Sequence, residues 1–328
     1  MEVENILAKN ITAAGDKAAY DAACKRLLAN KIILAWIMKS CLEEYKDCDI
    51  NEIAEKYIEG EPQIAKTAVN PDEEPDHGGE QIEGAKNEDS TIQEGTITFD
   101  IRFYSILPKS GETVRLIINV EGQNDFYPGY PIIKRGIYYC SRMISSQYGV
   151  EFTDNHYEKI RKVYSIWVCA DPPKYRQNTI TRYVMSEENL VGEAKEKKEN
   201  YDLLTAVMIC LGDPEGDNYG GILKLLEVLL SSGKGPEEKK KILQEEFDIR
   251  MTRKLESEVS DVCNLSKGVE QKGITIGIER GTMQAIENLM DTLKLTVEQA
   301  MAALKIPENE QIKYITRLKE NGRLMGTK

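Results

Sequence analysis

The amino-acid sequence predicts an α/β fold with a small mixed central sheet, flanking helices and a C-terminal helical extension. Apolar residues within residues 16–47 recur every three or four positions, as they do in amphipathic helices. Residues 96–123 and 163–186 instead carry alternating or continuous apolar runs, which are typical of strands. A helical segment at 129–148 separates these two regions, and strands interrupted by helices indicate the α/β class.

The composition limits the kinds of protein and of site that the chain can form. Its 328 residues, 41% of them apolar and 30% charged, suffice for two domains or for one core with helical additions. We expect a cytoplasmic protein without membrane association, because no apolar run approaches the ~18–20 residues that span a bilayer and no signal peptide is visible. Seven cysteines without a CxxC pair and only two histidines argue against disulfides, zinc centres and histidine triads.

The N-terminal part of the chain is predicted to be helical and then irregular. Within residues 1–60, two long helices are expected over 16–47 and a shorter one at 49–58, all packing on the core. Residues 61–94 are rich in proline, glycine and acidic side chains and contain almost no apolar residues. This composition predicts an acidic, flexible loop.

Residues 95–190 contain the predicted sheet. The helix over 129–148 lies between the second and third strands, and Pro131 suits its first turn. The four strands of this core are predicted at 96–107, 114–123, 163–170 and 178–186.

The remainder of the chain is predicted to be helical. Residues 191–250 form a helical extension, in which the helices are expected over 201–250, starting with YDLLTAVMICLG. Residues 251–328 end in a helical pair with Pro307 at its turn. A homodimer through these C-terminal helices is consistent with the sequence. Four glycines recur near the start of this last region, at Gly268, Gly273, Gly277 and Gly281. Their spacing fits either a stripe on a helix that allows close packing or a flexible linker.

The register of the first two strands is the most specific prediction. The connecting segment PKSGET contains Pro108 and Gly111, which favours a hairpin. If this hairpin is symmetric about Ser110–Gly111, Asp100 lies opposite Glu121, and each strand has one apolar and one polar face. The apolar face would contain Phe99, Ile101, Phe103, Leu116, Ile118 and Val120, and the polar face Thr98, Asp100, Arg102, Asn119, Glu121 and Gln123.

The carboxylates of Asp100 and Glu121 then need a partner for their charges. Opposed side chains have Cβ atoms about 4.5–5.5 Å apart. At that separation two carboxylates repel each other unless one changes its pKa or both share a cation. A divalent ion with oxygen ligands would satisfy both. Alternatively, Arg102 on the same face neutralises one acid while the other meets solvent, and the spacing alone leaves both interpretations open.

The charge is distributed unevenly along the chain, whose net charge is −12. Residues 129–182 hold nine basic and four acidic side chains, so this segment could meet a phosphate backbone or form an ordinary mixed surface. On the predicted helix, Arg135, Tyr138, Tyr139 and Arg142 share one stripe. We expect this stripe to line a DNA groove; in the alternative, the tyrosines pack on the sheet and the arginines reach water. The apolar face of the helix would consist of Ile132, Ile133 and Ile137.

The pattern resembles the PD-(D/E)XK nuclease superfamily, and more closely its branch of recombination-promoting nucleases and transposases. The resemblance is carried by TFDI around Asp100, by VEGQ containing Glu121, and by the following helix with its Lys-Arg pair and two tyrosines. The glycine-rich helix and the AMAALKIP segment extend it over most of the chain. It implies a restriction-endonuclease-like core, hydrolysis of DNA phosphodiester bonds, DNA as the partner, and a role in transposition or recombination.

The resemblance also implies roles for individual residues. Asp100, Glu121 and the backbone carbonyl of Gly122 would bind Mg²⁺ or Mn²⁺, which activates water and stabilises charge on the phosphate. Gln123 stands where the superfamily usually has lysine, and it can orient water or a phosphate oxygen but cannot act as a base. Lys134 on the following helix is the candidate to replace that lysine.

Arg135 and Arg142 would contact the DNA backbone. An additional acid from the N-terminal helices is expected, with Glu43, Glu44 and Glu55 as candidates. The neutral Gln123 and the acidic N-terminal third also permit an alternative function, a catalytically weak or inactive nuclease-fold module that binds DNA or assembles with protein.

Overall fold

A computed structural model describes residues 6–64, 88–91, 95–108, 115–123, 126–216, 218–231 and 233–320. The chain divides into two compact units, Met1–Ser266 and Lys267–Lys328, and each has its own apolar core. Within the described ranges, no helix combines the length and the apolar character needed to cross a membrane.

Helices and strands alternate along the first unit, and the second is helical. The α-helices are α1 (Ile6–Leu28), α2 (Lys31–Cys41), α3 (Ile50–Glu52), α4 (Ile132–Ser145), α5 (Lys198–Tyr201), α6 (Gly221–Leu230), α7 (Pro236–Glu245), α8 (Arg253–Leu293), α9 (Val297–Ala303) and α10 (Glu308–Glu320). The strands are β1 (Gln63–Ile64), β2 (Glu88–Thr91), β3 (Gly95–Thr98), β4 (Ile101–Ile106), β5 (Arg115–Gln123), β6 (Val163–Cys169), β7 (Thr179–Val184) and β8 (Leu204–Cys210). Single 3₁₀ turns lie at Glu43–Tyr45, Tyr157–Lys159 and Lys174–Arg176, and a π-helical turn at Ile53–Tyr57.

Six strands form one mixed sheet in the order β1-β4-β5-β6-β8-β7, which confirms the predicted α/β class. Strands β5, β6 and β8 are parallel, so their carboxyl ends lie at the same edge, whereas β4 and β7 run antiparallel to their neighbours. Strands β2 and β3 form a separate two-stranded sheet. The predicted hairpin register is confirmed, because Ile101 pairs with Val120 and Arg102 with Asn119.

Apolar side chains cover both faces of the six-stranded sheet. On one face, Ile101, Ile118 and Val120 belong to the larger core, to which α1, α2 and α6 contribute. On the other face, Ile117 and Trp167 pack with α4 in a second core. This second face is the one that the hairpin pattern predicted to be polar. Of its polar residues, Arg102 and Glu121 are buried and Gln123 is half-buried.

Two predictions of secondary structure were wrong. Residues 204–210, predicted as helical, form the buried strand β8, because a continuous apolar run looks alike in a buried helix and a buried parallel strand. The single strand predicted over 96–107 is interrupted at Phe99 and Asp100, where the chain leaves the two-stranded sheet and enters β4. Phe99 consequently packs against Tyr139 on the α4 face, away from Ile101.

The segment predicted as a flexible loop, 61–94, is described only in part. Its described residues include the short strands β1 and β2, and residues 65–87 and 92–94 lie outside the described ranges. All seven cysteines lie within those ranges and none forms a disulfide, as predicted.

The C-terminal unit resolves the two interpretations of the glycine repeat. Helix α8 runs without interruption through the glycine positions, so the segment is helical and is not a linker. A Cβ added at Gly273, Gly277 or Gly281 would meet no atom within 4 Å, so this stripe packs against none of the residues that the structure describes. Helices α9 and α10 lie on either side of Pro307, as predicted for the terminal pair.

Candidate active site at the end of strand β5

The side chains of Asp100 and Glu121 meet at the end of β5. The backbone N–H of Asp100 donates to Glu121 Oε1 at 2.9 Å, and the backbone N–H of Gly122 donates to Asp100 Oδ2 at 3.2 Å. Each carboxylate is therefore fixed by the backbone of the opposite strand. Glu121 is 3% exposed and the Asp100 side chain 17%, so the pair is largely removed from water.

A lysine of α1 approaches the carboxylates from the side of the larger core. Lys25 Nζ lies 2.8 Å from Asp100 Oδ1 and 2.8 Å from Asp21 Oδ2, one turn earlier on the same helix. Helix α1 is oriented by Ala23 and Leu27, which are buried in that core. The ammonium of Lys25 is thus held between two carboxylates in a site where its side chain is 8% exposed.

Burial and neighbouring charges shift the pKa of each charged group at this site. Burial and the charge of Asp100 raise the pKa of Glu121 well above its ordinary value. Burial also raises the pKa of Asp100, although the charge of Lys25 opposes this effect. Burial would lower the pKa of Lys25, but the charges of Asp100 and Asp21 outweigh it and raise this pKa. Burial disfavours charge, so it raises the pKa of both carboxyls, and only for Lys25 do the neighbouring charges outweigh burial.

Helix α4 supplies a second cation, Arg135. Its Nε and Nη2 donate to Tyr139 Oη at 3.1 and 2.7 Å, and its guanidinium carbon lies 5.2 Å from the centre of a Trp167 ring. The positive charge of Arg135 opposes the rise in the pKa of Glu121, which pairs with Trp167 across β5 and β6. Gly136 permits this close packing, because a Cβ there would lie 3.1 Å from Trp167 Nε1.

The face of α4 that contacts the sheet differs from the prediction. Tyr139, Cys140 and Met143 are buried against the strands, whereas Ile137, expected in the core, is 44% exposed. Arg142 is 2% exposed, and its Nη1 donates to Tyr138 Oη at 3.4 Å. Arg142 is therefore enclosed within the chain and does not lie at the surface, where it was predicted to contact the DNA backbone.

The remaining predicted residues lie in different surroundings. Gln123 ends β5, half-buried and on the same face as Glu121. Lys134 is exposed in the first turn of α4. Arg102, which the alternative expected to neutralise one of the two acids, lies with its guanidinium carbon 5.1 Å from the centre of the Phe99 ring, and its Nη2 donates to Ser146 Oγ at 3.4 Å. The cation that pairs with Asp100 is Lys25.

The three N-terminal acids considered as further ligands lie elsewhere. Glu44 accepts hydrogen bonds from Tyr164 Oη at 2.8 and 2.7 Å, and Glu43 pairs with Lys46 at 2.7 Å. Glu55 is exposed on the π-helical turn. The acid that the N-terminal helices bring to the site is instead Asp21, which reaches it through Lys25.

Sequence reasoning missed both Lys25 and Asp21. One signal was available, because a lysine at position 25 interrupts a helical face that otherwise carries Ala23, Leu27 and Leu28. A charged residue on a buried helical face needs a partner. The partner, Asp100, is 75 positions away in the chain and follows residues outside the described ranges, so no local pattern could identify it.

The oxygen donors at this end of β5 fit a divalent ion bound by two carboxylates. Glu121 Oε1 accepts from the backbone N–H of Asp100, and the carboxylate of Glu121 would be one ligand of such an ion. Asp100 and the carbonyl of Gly122 would complete the protein ligands. No group of three acidic, histidine or cysteine side chains converges among the described residues, so further oxygens would come from water and substrate.

Comparison of the chain with models of known protein families found no match, and comparisons with curated proteins and with solved structures found no significant similarity.

Proposed function

We propose that this protein is a metal-dependent DNA endonuclease of the PD-(D/E)XK type, which hydrolyses phosphodiester bonds in transposition or recombination. The observation that carries this proposal is the reciprocal hydrogen bonding of Asp100 and Glu121 at the end of β5. Lys25 and Arg135 bring two cations to the same place from opposite faces of the sheet. The order of helix, hairpin, helix and parallel strand supports a restriction-endonuclease-like core.

In this proposal, Asp100, Glu121 and the carbonyl of Gly122 hold Mg²⁺ or Mn²⁺. The bound ion would lower the pKa of a water molecule and offset negative charge on the phosphate. Gln123, on the same face as Glu121, would orient the water or a phosphate oxygen through its amide. Burial and the charge of Asp100 disfavour the ionised form of Glu121, and a divalent ion would stabilise that form, which supports the assignment of Glu121 as a ligand.

We assign to Lys25 the role that Lys134 was predicted to fill. Lys25 contacts Asp100 directly, whereas Lys134 is exposed on α4. Because the pKa of Lys25 is raised, its amine stays protonated at neutral pH and acts as a hydrogen-bond donor, not as a base. It would donate to a phosphate oxygen and stabilise charge that develops during hydrolysis. Lys134 is then available to contact the DNA backbone.

A second candidate function is supported by the same ion pair. Both oxygens of Asp100 already have partners in the chain, Lys25 Nζ and the backbone N–H of Gly122. A carboxylate satisfied in this way has less need of a metal ion, and Gln123 lacks the charge of the usual lysine. These features favour an inactive nuclease-fold module that binds DNA or assembles with protein. The two candidates differ in whether a divalent ion binds at Glu121.

Binding of Mn²⁺ and cleavage of supercoiled plasmid distinguish the two candidates. The wild-type protein should bind Mn²⁺, detected by electron paramagnetic resonance, and nick the plasmid. Glu121→Gln keeps an oxygen that can accept from the Asp100 N–H but removes the charge, and Asp100→Asn does the same on the opposite side. Each should weaken Mn²⁺ binding and slow cleavage by roughly 100-fold or more.

Glu55→Gln is the matched control, because it makes the same change at an exposed acid outside the site. This variant should bind Mn²⁺ and cleave like the wild type. Cleavage that survives in both Glu121→Gln and Asp100→Asn would exclude the proposed mechanism. A wild-type protein that binds DNA in a salt-dependent manner but binds no Mn²⁺ would identify the inactive module.

A further inference from the structure

A cleft rich in tyrosine lies at the same edge of the sheet as the carboxylates. Its volume is about 550 Å³, which is within the usual range for small-molecule sites. The segment after β5 supplies one wall with Tyr127 and Tyr130, and the 3₁₀ turn after β6 supplies the other with Tyr175 and Arg176. Met208 and Cys210 of β8 also line it, as do Tyr183 of β7 and the first turn of α4.

Three tyrosine side chains around this cleft are exposed to solvent. Tyr127 is 59%, Tyr130 37% and Tyr175 72% exposed. Single exposed aromatic residues are common on protein surfaces, but several around one concavity mark a binding site. Tyr127 Oη and Tyr175 Oη lie 2.9 Å apart, so a hydrogen bond joins the two walls and orients both rings. The cleft therefore presents pre-positioned aromatic side chains to a ligand.

The register of the sheet gives the distance from the cleft to the carboxylates. Glu121 pairs with Trp167 on β6, and Trp167 pairs with Met208 on β8. Two strand spacings of about 4.8 Å separate Glu121 from Met208 along the sheet, or about 10 Å. This distance corresponds to about three stacked nucleotides at 3.4 Å each, and to fewer in an unstacked strand. A nucleotide next to a phosphate at Glu121 can reach the cleft.

We infer that this cleft binds one unpaired nucleobase of the DNA strand whose phosphate lies at Asp100 and Glu121; this inference rests on the proposed function. Aromatic side chains bind bases by stacking, which needs a base face that is not already stacked within a duplex. Arg176 lies with its guanidinium carbon 5.7 Å from the centre of the Tyr175 ring, so it places a cation beside the stacked base and its phosphate. The substrate class is thus DNA with an unpaired position near the cleavage site: a single strand, a junction or an extruded base.

A titration with a fluorescent base tests the cleft without requiring cleavage. The full chain is mixed, in EDTA, with a single-stranded deoxyoligonucleotide that contains one 2-aminopurine, and separately with the same strand annealed to its complement. We expect the single strand to bind with quenching of 2-aminopurine fluorescence, and the duplex to bind more weakly. Tyr175→Ala and Tyr130→Ala should each weaken binding of the single strand by about 5- to 100-fold.

Tyr157→Ala is the matched control, because Tyr157 is 64% exposed on another 3₁₀ turn and does not line the cleft. It should bind the single strand like the wild type. The inference is overturned if the two cleft variants also bind like the wild type, or if the duplex binds as tightly as the single strand. Plasmid cleavage by a wild-type protein that leaves 2-aminopurine unquenched would also overturn it while leaving the proposed nuclease intact. If 2-aminopurine quenching depends on Tyr175 but the wild-type protein does not cleave plasmid, the result would support base binding in the cleft and contradict the proposed nuclease activity.

Discussion

Replacing Lys25 by methionine tests whether the ion pairs at the candidate site are buried in the way the structure describes. Methionine keeps most of the aliphatic volume but removes the ammonium that lies 2.8 Å from both Asp100 and Asp21. The two carboxylates then lose their shared counterion. The side chain of Lys25 is 8% exposed and that of Asp100 17%, so solvent can replace the ammonium only in part.

The expected loss of stability follows from this burial. Removing one partner of a buried ion pair costs about 3–5 kcal/mol, because the remaining charge is left uncompensated. Asp100, whose pKa burial already raises, can take up a proton, so we expect the lower end, about 3 kcal/mol, near neutral pH. At about 2–4 °C per kcal/mol for a domain of this size, Tm should fall by roughly 6–12 °C. The deficit should shrink as the pH falls below the ordinary Asp value of 3.8, because the carboxyl is then protonated in the folded and the unfolded states.

Tryptophan fluorescence is a suitable measurement, because both tryptophans, Trp36 and Trp167, lie in the first unit and report its unfolding alone. Lys31→Met is the matched control on the next helix, where Lys31 Nζ lies 3.7 Å from Glu61 and the side chains are 32% and 79% exposed. Such a surface pair contributes about 0–1 kcal/mol. Equal losses in the two variants would refute the reasoning, and so would a Lys25→Met deficit that does not change with pH.

Further predictions concern packing and the C-terminal unit. Gly136→Ala should lower the free energy of unfolding by about 1 kcal/mol, because overpacking against Trp167 at about 1–3 kcal/mol exceeds a gain in helix propensity of about 1 kcal/mol. At Gly277 an added Cβ would meet no atom within 4 Å, so Gly277→Ala should instead stabilise α8 by about 1 kcal/mol. A loss of stability that depends on protein concentration would show that the glycine stripe packs against another copy of the chain. Burial raises the pKa of Glu279, but hydrogen bonds and charge from Arg317 and Lys313 outweigh it and hold this pKa below its ordinary value of 4.5. Glu279 should therefore contribute roughly 1–3 kcal/mol to the stability of the C-terminal unit above about pH 4.5, and this contribution should be lost as the pH falls through the lowered pKa. Hydrogen exchange of the α10 amides measures the loss, and Glu279→Gln should abolish the pH dependence.

The hairpin is the part of the fold that could be derived from the sequence in most detail. Apolar and polar residues alternate along both strands, and a one-residue slip would place Asp100 among apolar side chains. Pro108 and Gly111 in the connecting segment favour a hairpin between the two strands. Together these local constraints admit one register, and the structure has that register, with Ile101 opposite Val120. The proximity of Asp100 and Glu121 follows from it directly.

The elements that were predicted wrongly share a physical cause. The strand β8 was predicted as a helix because its identity depends on pairing with β6, which is distant in sequence. Which face of α4 is buried depends on how the helix packs on distant strands, and Arg142 is buried although it was predicted to lie at the surface. In each case the local sequence allows two arrangements, and packing between distant segments selects one.

The sequence by itself determined the class of the fold, the hairpin register and therefore the pair Asp100 and Glu121, since these depend on the period of side chains along a strand and on one short turn. Only the tertiary structure decided what surrounds that pair. Lys25 from α1 and Arg135 from α4 reach it from opposite faces of the sheet, and the tyrosine cleft forms where the ends of three parallel strands meet. These contacts join residues far apart in the chain, and they are fixed by the burial of each helix against the sheet.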